Sequence, residues 1–506
     1  METKKLLEAE RDSQESDIEE NGYEESAKEY KARWRSIRVV YLAVLLSAME
    51  FSITLPSLWP YLQKIDPTVT PQFLAWTNGG FSLCQVAGSF LFGAWCQYRP
   101  AKEPLIACVF IRIVGNFLYV LPEKYHGFHG KMLILSAKLI IGLSTGDKAV
   151  CRAIIPQSTT TSERRNAFTV ITFLMLIGYA IGTALQSVAV PIIGEKGHSS
   201  LLNIDIYNVA GWIGIVFEIF ILLLFLLFLK EYNIEINKSS KAGQLPRPDM
   251  GALIVTVAAC SFLFFAFSLV ETVATPLMQA EFGWNKAQAV FYAGMVLSGS
   301  GIFALIALLI VRYAMRKFQE RLILLLGLVL VMLSFIITLP WGSKIPKLQR
   351  EEDFQVGNAT KTVLSSGCSI QYSWCKSTPK IYLSQYLVAN LVYNMGISIA
   401  TLVAASLYSK VIGPRKQVWH LVLLRRFFVL VVEGLFMAIL SAFGSFARFL
   451  GPVAMVPLFA NYGPRWLFVT LTLITASFVT LIAGFYKRLV PFSDYIGLKR
   501  RDDGKE

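Results

Sequence analysis

The sequence predicts an all-α membrane protein with twelve transmembrane helices in two six-helix halves, with both termini in the cytosol. Three observations lead to this fold class. The mean hydropathy is +0.52, and 54% of the 506 residues are hydrophobic. Only 16% of the residues are charged, against about 25% in soluble domains. Apolar stretches near the roughly 20 residues that a spanning helix needs recur in two sets, which a polar linker separates.

The first half follows an acidic tail. Residues 1–36 are polar and rich in acidic side chains, a composition typical of a disordered cytosolic tail. The half itself covers residues 37–229 and contains the predicted spans 37–62, 72–96, 104–122, 131–156, 168–192 and 207–229.

The second half follows a polar cytosolic linker, residues 230–250. It covers residues 251–487 and contains the predicted spans 252–279, 288–312, 321–341, 381–409, 434–460 and 465–486. A long loop, 342–380, separates the third and fourth of these spans, and residues 488–506 form a cytosolic tail. An atypical insert, 418–433, is too short and too charged to cross a bilayer. It fits either an interfacial amphipathic segment or an intron retained in the translated sequence.

The distribution of Lys and Arg predicts the orientation. Basic residues collect at one side of the predicted spans, and this side is expected to face the cytosol. The loop 342–380 then faces the opposite compartment. It carries an N-glycosylation sequon at Asn358. It also contains Cys368 and Cys375, which can form a disulfide in an oxidising compartment.

A lone glutamate precedes a proline in the first span of each half. Glu50 lies six residues before Pro56, and Glu271 lies five residues before Pro276. Because a carboxylate in lipid is costly, such a residue usually faces a cavity and has a function there. Glu50 and Glu271 are therefore candidates for proton coupling or gating, against the alternative of a neutral, hydrogen-bonded structural role. The prolines are expected to break both helices and to free backbone carbonyls.

Several cations fall within predicted spans. Arg112, Lys138 and Arg448 are candidates for a solute path, and a path lined by cations suits an anion. The alternative is that Glu50, Glu218 or Glu271 neutralises these cations, because buried charges tend to pair. Asp147 and Lys148 are neighbours in the chain and point in different directions on a helix, so they do not form a simple pair.

Glycines at small-xxx-small spacing predict close helix contacts. Gly142 and Gly146 lie in the fourth span, and Gly178 and Gly182 lie in the fifth. We interpret both pairs as packing positions.

The sequence argues against several functional classes. The four histidines are scattered, and no constellation typical of an enzyme or a metal site is apparent. A phosphate-binding P-loop is absent, which disfavours ATP-driven pumping. The net charge is +14, but the basic residues lie at the ends of the predicted helices rather than in one patch. This distribution disfavours nucleic-acid binding. No cofactor is expected.

The 6+6 arrangement resembles the major facilitator superfamily. The segment after the second span runs Gly93-Ala94-Trp95-Cys96-Gln97-Tyr98-Arg99-Pro100, at the position of that family's Gly-x-x-x-Asp-Arg-x-Gly signature. Gln97 replaces the acid and Pro100 the second glycine, so the signature is degenerate here.

A narrower resemblance is to a lysosomal branch of that superfamily. It is based on motifs such as Trp59-Pro60-Tyr61-Leu62, Gly367-Cys368-Ser369-Ile370 and Gly463-Pro464-Arg465-Trp466. This resemblance implies a multi-pass protein of the endolysosomal membrane. Glu271 matches the branch, whereas Glu50 stands where a glycine is expected. The insert 418–433 is a second departure.

The amino-terminal tail contains a candidate sorting signal. Glu2, Leu6 and Leu7 fit the acidic dileucine pattern that endosomal sorting adaptors bind, and the resemblance implies that role. The expected partners are thus the lipid bilayer, sorting adaptors, and a small solute or ion such as chloride or protons.

We therefore expect a solute transporter that works by alternating access between its two halves. We expect the transport to be proton-linked or the transported solute to be an anion. One alternative is a lysosomal chloride channel on the same scaffold. Another is a non-transporting membrane scaffold or receptor.

Overall fold

Helices form nearly all of the regular structure. The computed structural model describes residues 26–125, 127–194, 204–232, 249–315, 317–349, 351–356, 359–364, 367–369, 372–412 and 435–490. The tail signal of Glu2, Leu6 and Leu7, the sequon residue Asn358 and the insert 418–433 lie outside these residues.

The described part of the first half contains eight helices. They are α1 (Ala27–Ile53), α2 (Leu58–Ile65), α3 (Pro71–Tyr98), α4 (Lys102–Val120), α5 (Phe128–Ser144), α6 (Asp147–Gln157), α7 (Thr161–Ile193) and α8 (Val209–Phe228). A 3-10 turn, Leu121–Lys124, follows α4. The first predicted span is thus the pair α1–α2, and the fourth is the pair α5–α6.

The second half begins again after the linker. Its helices are α9 (Met250–Phe282), α10 (Lys286–Ala314), α11 (Glu320–Thr338), α12 (Leu383–Ile412) and α13 (Leu435–Gly484). A small antiparallel hairpin, β1 (Glu351–Val356) and β2 (Ala359–Leu364), lies between α11 and α12, with Val356 paired to Ala359. The sequence predicted only a loop there.

Nine helices among the described residues are long and apolar enough to cross a membrane. One of them, α13, bends at Gly463, where φ is 83°, and so covers the eleventh and twelfth predicted spans. The helix α3 and the pair α5–α6 cover the second and fourth. The predicted all-α membrane fold is therefore confirmed, while the count of twelve transmembrane helices and the orientation in the membrane stay predictions.

The helix bundle has two ends, which we call the loop end and the terminal end. The loop end carries the disulfide between Cys368 and Cys375. The terminal end carries the first residue of α1, Ala27, and the last residue of α13, Gly484.

Glycines bring the helices of the first half close together. A Cβ atom on Gly142 would lie 2.5 Å from the carbonyl oxygen of Phe81, and one on Gly178 would lie 2.6 Å from that of Leu45. The helix α5 thus packs closely on α3, and α7 packs closely on α1. The predicted packing role of these small-residue positions is confirmed.

The two halves meet chiefly along two helix pairs, α3 with α13 and α7 with α10, and also where α9 meets α3 and α10 meets α2. A Cβ atom on Gly301 of α10 would lie 2.7 Å from the Cβ of Ala180 of α7. At the loop end, Lys286 of α10 donates to the backbone carbonyl of Gln63, at 3.1 Å. Val290 of α10 belongs to the same buried apolar cluster as Leu62 of α2. The halves are therefore packed against each other at the loop end.

Candidate functional site

Glu50, the glutamate of the first span, lies beside a break between two helices. Helix α1 ends at Ile53 and α2 begins at Leu58, with Pro56 between them. Glu50 occupies the last turn of α1 and is 4% exposed. The expected proline break is present here.

The glutamate of the seventh span lies in an unbroken helix. Helix α9 continues from Met250 through Pro276 to Phe282, so the predicted break at this proline is wrong. Neighbouring helices pack around this part of α9, and Thr275, Pro276 and Leu277 are all buried. A proline inside a membrane helix is tolerated where neighbouring helices and hydroxyl side chains satisfy the freed backbone groups.

Arg112 of α4 lies at the centre of a buried polar cluster. Its guanidinium lies 3.6 Å from Glu50, 2.5 Å from Asp147 and 3.0 Å from Glu218. It also donates to the hydroxyl of Ser47 at 2.8 Å and to that of Ser144 at 3.1 Å. Asn116 donates to Glu50 at 2.5 Å. We call Glu50, Arg112, Asp147 and Glu218 the Arg112 cluster.

The helix break in the fourth span positions one acid of this cluster. Helix α5 ends at Ser144, and α6 begins at Asp147. Arg112 also donates to the carbonyl oxygen of Ser144, at 3.2 Å. The guanidinium therefore bonds to both sides of the break and holds Asp147 at the start of α6.

Glu271 and Arg448 form a looser pair in the second half. The Nη2 atom of Arg448 lies 3.9 Å from Glu271 Oε2. Among the described residues, neither Glu271 Oε1 nor Arg448 Nε has a hydrogen-bond partner, although both atoms are buried. Buried polar atoms normally have such partners, so this pair is incompletely satisfied.

Two cations from opposite halves approach one aromatic ring. The Nζ of Lys148, on α6, lies 5.4 Å from the centroid of Phe51. The guanidinium of Arg448, on α13, lies 5.9 Å from the same centroid and 5.8 Å from that of Phe267. Lys138 is buried nearby on α5 and donates to the hydroxyl of Thr54 at 2.6 Å. We call Lys138, Lys148, Glu271 and Arg448 the central charges.

The structure thus separates the predicted site residues into two groups. Arg112 and Glu50 belong to the Arg112 cluster, and Lys138, Glu271 and Arg448 belong to the central charges. The neutralisation alternative assigned no particular pairs; among the described residues Arg112 pairs with Glu50 and Glu218, Arg448 pairs with Glu271, and Lys138 forms no ion pair with these acids.

Two residues were not selected from the sequence. Asp147 and Lys148 were considered only as chain neighbours, yet one joins the Arg112 cluster and the other joins the central charges. The signal that was available is Gly146, which directly precedes a charged pair inside an apolar span.

The loop end carries further polar contacts. Lys64 binds both Glu123, at 2.8 Å, and Asp205. Cys368 and Cys375 form a disulfide, and Trp374 beside it packs on Phe459 of α13. No group of three or more His, Cys, Asp or Glu suited to a metal ion occurs within the described ranges.

Comparisons with known proteins complete the description of the site. Residues 40–347 match the family model described as Major Facilitator Superfamily. The chain is 33% identical over 498 residues to "Major facilitator superfamily domain-containing protein 8" of Xenopus laevis, covering 93% of this chain and 94% of that protein.

Two solved structures share the fold. The crystal structure of the human organic anion transporter MFSD10 (TETRAN) is similar with a TM-score of 0.58 at 16% identity, over 89% of this chain and 99% of that one. The nucleoside transporter NupG is similar with a TM-score of 0.57 at 11% identity, over 90% of this chain and 99% of that one.

Proposed function

This chain belongs to the major facilitator superfamily, and from that premise we propose that it is a carrier for a small anionic solute. A multi-pass solute transporter is the function that the family supports. Beyond that function, we propose the charge of the solute, the coupling ion and the membrane in which the protein resides. In this proposal the two halves move around the central charges by alternating access.

The observation that carries the proposal is the approach of Lys148 and Arg448 to Phe51 from opposite halves. Neither cation is fully buried, so each keeps some exposed surface. Among the described residues, Glu271 is the acid that forms an ion pair with Arg448, and it does so at 3.9 Å. An anion held between the two cations would contact both halves at once, which is what alternating access requires.

The loose pair also suggests how protons could drive transport. Glu271 and an anionic solute compete for the guanidinium of Arg448, because both are negatively charged. Protonation of Glu271 removes that competitor and leaves Arg448 to the solute. The proposal therefore couples uptake of one proton at Glu271 to binding of one anion.

The proteins of similar fold are consistent with this proposal, but they do not identify the solute. One protein of the same fold is described as an organic anion transporter and another as a nucleoside transporter. Because one fold hosts many functions, the proposed anion preference depends on the central charges of this chain.

The test of the solute charge is uptake by the purified full-length protein in liposomes. Radiolabelled chloride and sets of small organic anions, neutral solutes and cations are compared. We expect anion uptake to fall about tenfold or more in Arg448→Gln and in Lys148→Gln, as loss of about 1.4 kcal/mol of binding would produce. Arg465→Gln, at an exposed position, is the control. Equal uptake of cations, or unchanged uptake in both variants, contradicts the proposal.

A chloride channel on the same scaffold is the second candidate. The same cations favour the binding of chloride. The two functions differ in how the flux depends on chloride concentration. A carrier saturates as its central site fills, whereas a channel conducts in proportion to chloride concentration. A non-transporting scaffold or receptor would show no flux above that of protein-free liposomes.

The membrane we propose is that of the lysosome, with the loop end in its lumen. Glu2, Leu6 and Leu7 in the tail support this location, and the basic residues support the orientation. Replacing both leucines by alanine is expected to move the protein to the cell surface. Asn358→Gln is expected to remove one glycan, which a mobility shift on a gel would detect. An unchanged location of the leucine variant would contradict the lysosomal membrane. An unchanged mobility of Asn358→Gln would contradict a lumenal loop end.

A further inference from the structure

The Arg112 cluster contains more acid than base. Three carboxyl groups, from α1, α6 and α8, lie within 3.6 Å of one guanidinium. If all three were ionised, the cluster would carry two uncompensated negative charges. Exposure is 4% for Glu50, 8% for Asp147 and 0% for Glu218. Unpaired charges are costly at such positions.

The neighbouring residues do not supply the missing positive charge at close range. Asn116, which donates to Glu50, and Ser47 and Ser144, which bond to Arg112, are neutral. Lys138 donates to Thr54, and Lys148 lies against Phe51. Among the described residues, neither lysine forms an ion pair with Glu50, Asp147 or Glu218.

Two of the acids lie against the same nitrogen of Arg112. Glu50 Oε2 lies 3.6 Å from Arg112 Nη1, and Glu218 Oε1 lies 3.0 Å from the same atom. An ionised carboxylate only accepts hydrogen bonds, whereas a protonated one can donate. Two carboxyl groups at one nitrogen can therefore hydrogen-bond to each other only when one of them carries a proton. Glu218 Oε2 accepts from no donor in the described part of the chain, which fits a protonated oxygen.

We propose that Glu50 and Glu218 share one proton and form a proton-binding site inside the first half. Arg112 holds the pair in place, and Asp147 is the ionised partner of the guanidinium. This site is separate from the central charges and does not depend on the proposed anion transport.

The position of the site links the proton to the break in the fourth span. Arg112 bonds to Ser144 at the end of α5 and to Asp147 at the start of α6. When the proton leaves, Glu50 and Glu218 attract the guanidinium more strongly, in competition with Asp147. Proton binding is thereby coupled to the contact that fixes α6, the helix that carries Lys148.

Infrared spectroscopy of the purified full-length protein in lipid nanodiscs tests this site without any solute. A protonated carboxyl group gives a carbonyl stretch, distinct from that of a carboxylate, which shifts in heavy water. We expect this band in the wild type at neutral pH and its loss, or a marked decrease, in Glu218→Gln and in Glu50→Gln. The control Glu320→Gln, which alters an acid paired with Lys410 at the terminal end, should keep the band.

A band of unchanged intensity in both variants, or no band in the wild type, overturns the proposal. If neither variant folds, the double variant Glu271→Gln with Glu281→Gln decides the question. It removes two other carboxyl groups of the helix bundle that could carry a proton. A band that persists in this double variant supports the shared proton, and a band that disappears contradicts it.

Discussion

At the scale of single residues, burial determines what each charge can do. Arg112 is 2% exposed and bonds to three acids, so we interpret it as the residue that holds the first half together. Arg448 is less buried, and among the described residues it has one acidic partner, 3.9 Å away. It is the better candidate to bind a solute, although both arginines look alike in the sequence.

Arg112→Gln is expected to lower the free energy of unfolding by about 3–5 kcal/mol, because it leaves buried acids without their cation. Thermal unfolding in detergent measures this loss. The control Arg465→Gln, at an exposed position, should change stability by no more than about 0.5 kcal/mol. A variant at Arg112 as stable as the wild type would show that the cluster is not structurally important.

Asp66, at the loop end, carries a pH-dependent contact. Its hydrogen bond to Lys131, at 2.6 Å, lowers the pKa of the Asp66 carboxyl below its usual value, and Thr68 adds to this shift. A lowered folded-state pKa gives a stabilisation that is present above the unfolded pKa, near 3.9 for aspartate. It is lost as the pH falls through the folded-state pKa. The contact should therefore survive in an acidic lumen.

Asp66→Asn is accordingly expected to cost about 1–3 kcal/mol at pH 7 and nearly the same at about pH 5. The difference from the wild type should shrink only below about pH 4. Urea unfolding at the three pH values measures this dependence. Asp249→Asn is the control, because Asp249 lies 3.8 Å from an exposed arginine, Arg488. A cost that disappears between pH 7 and pH 5 would contradict the assignment.

At the scale of helices, two prolines with similar surroundings in the sequence behave differently. Around Pro56 the hydroxyls of Ser52, Thr54 and Ser57 bond to nearby backbone carbonyls, and the chain leaves the helix. Around Pro276 the helix continues. The sequence shows a proline in both places, but the packing of neighbouring helices, which decides the outcome, is not visible in it.

The turn within α13 gives a prediction at this scale. Gly463 has φ 83°, and a Cβ atom there would lie 2.8 Å from the Trp374 ring. Gly463→Ala should therefore destabilise the protein by about 1–3 kcal/mol, through backbone strain and this contact. Thermal unfolding measures the effect. The control Gly299→Ala places a methyl group in open space and should be neutral or stabilising, because alanine favours helix. Equal stability of the two variants would contradict this account of the turn.

At the scale of the whole molecule, the sequence predicts the spans well and the site poorly. Lipid requires apolar helices of a certain length, so apolar runs are sufficient to find them. Partners in the site are distant in the chain, as with Arg112 and Glu218, which are 106 residues apart. A single sequence contains no signal for such contacts. Lys148 was missed for the same reason, because its neighbours Phe51 and Arg448 come from other helices.

The packing of the halves at the loop end defines the state of the transporter. Lys286 and Val290 of α10 contact α2 there. We infer that this conformation is closed at the loop end. Transport then requires these contacts to separate in each cycle.

The most direct test of proton-coupled anion transport is the initial rate of anion uptake into proteoliposomes under an imposed pH gradient. It is measured against anion concentration for the wild type and for Glu271→Gln. We expect saturable uptake that the gradient accelerates in the wild type, and loss of that acceleration in Glu271→Gln. An unsaturating chloride current of the same size in both proteins would contradict it.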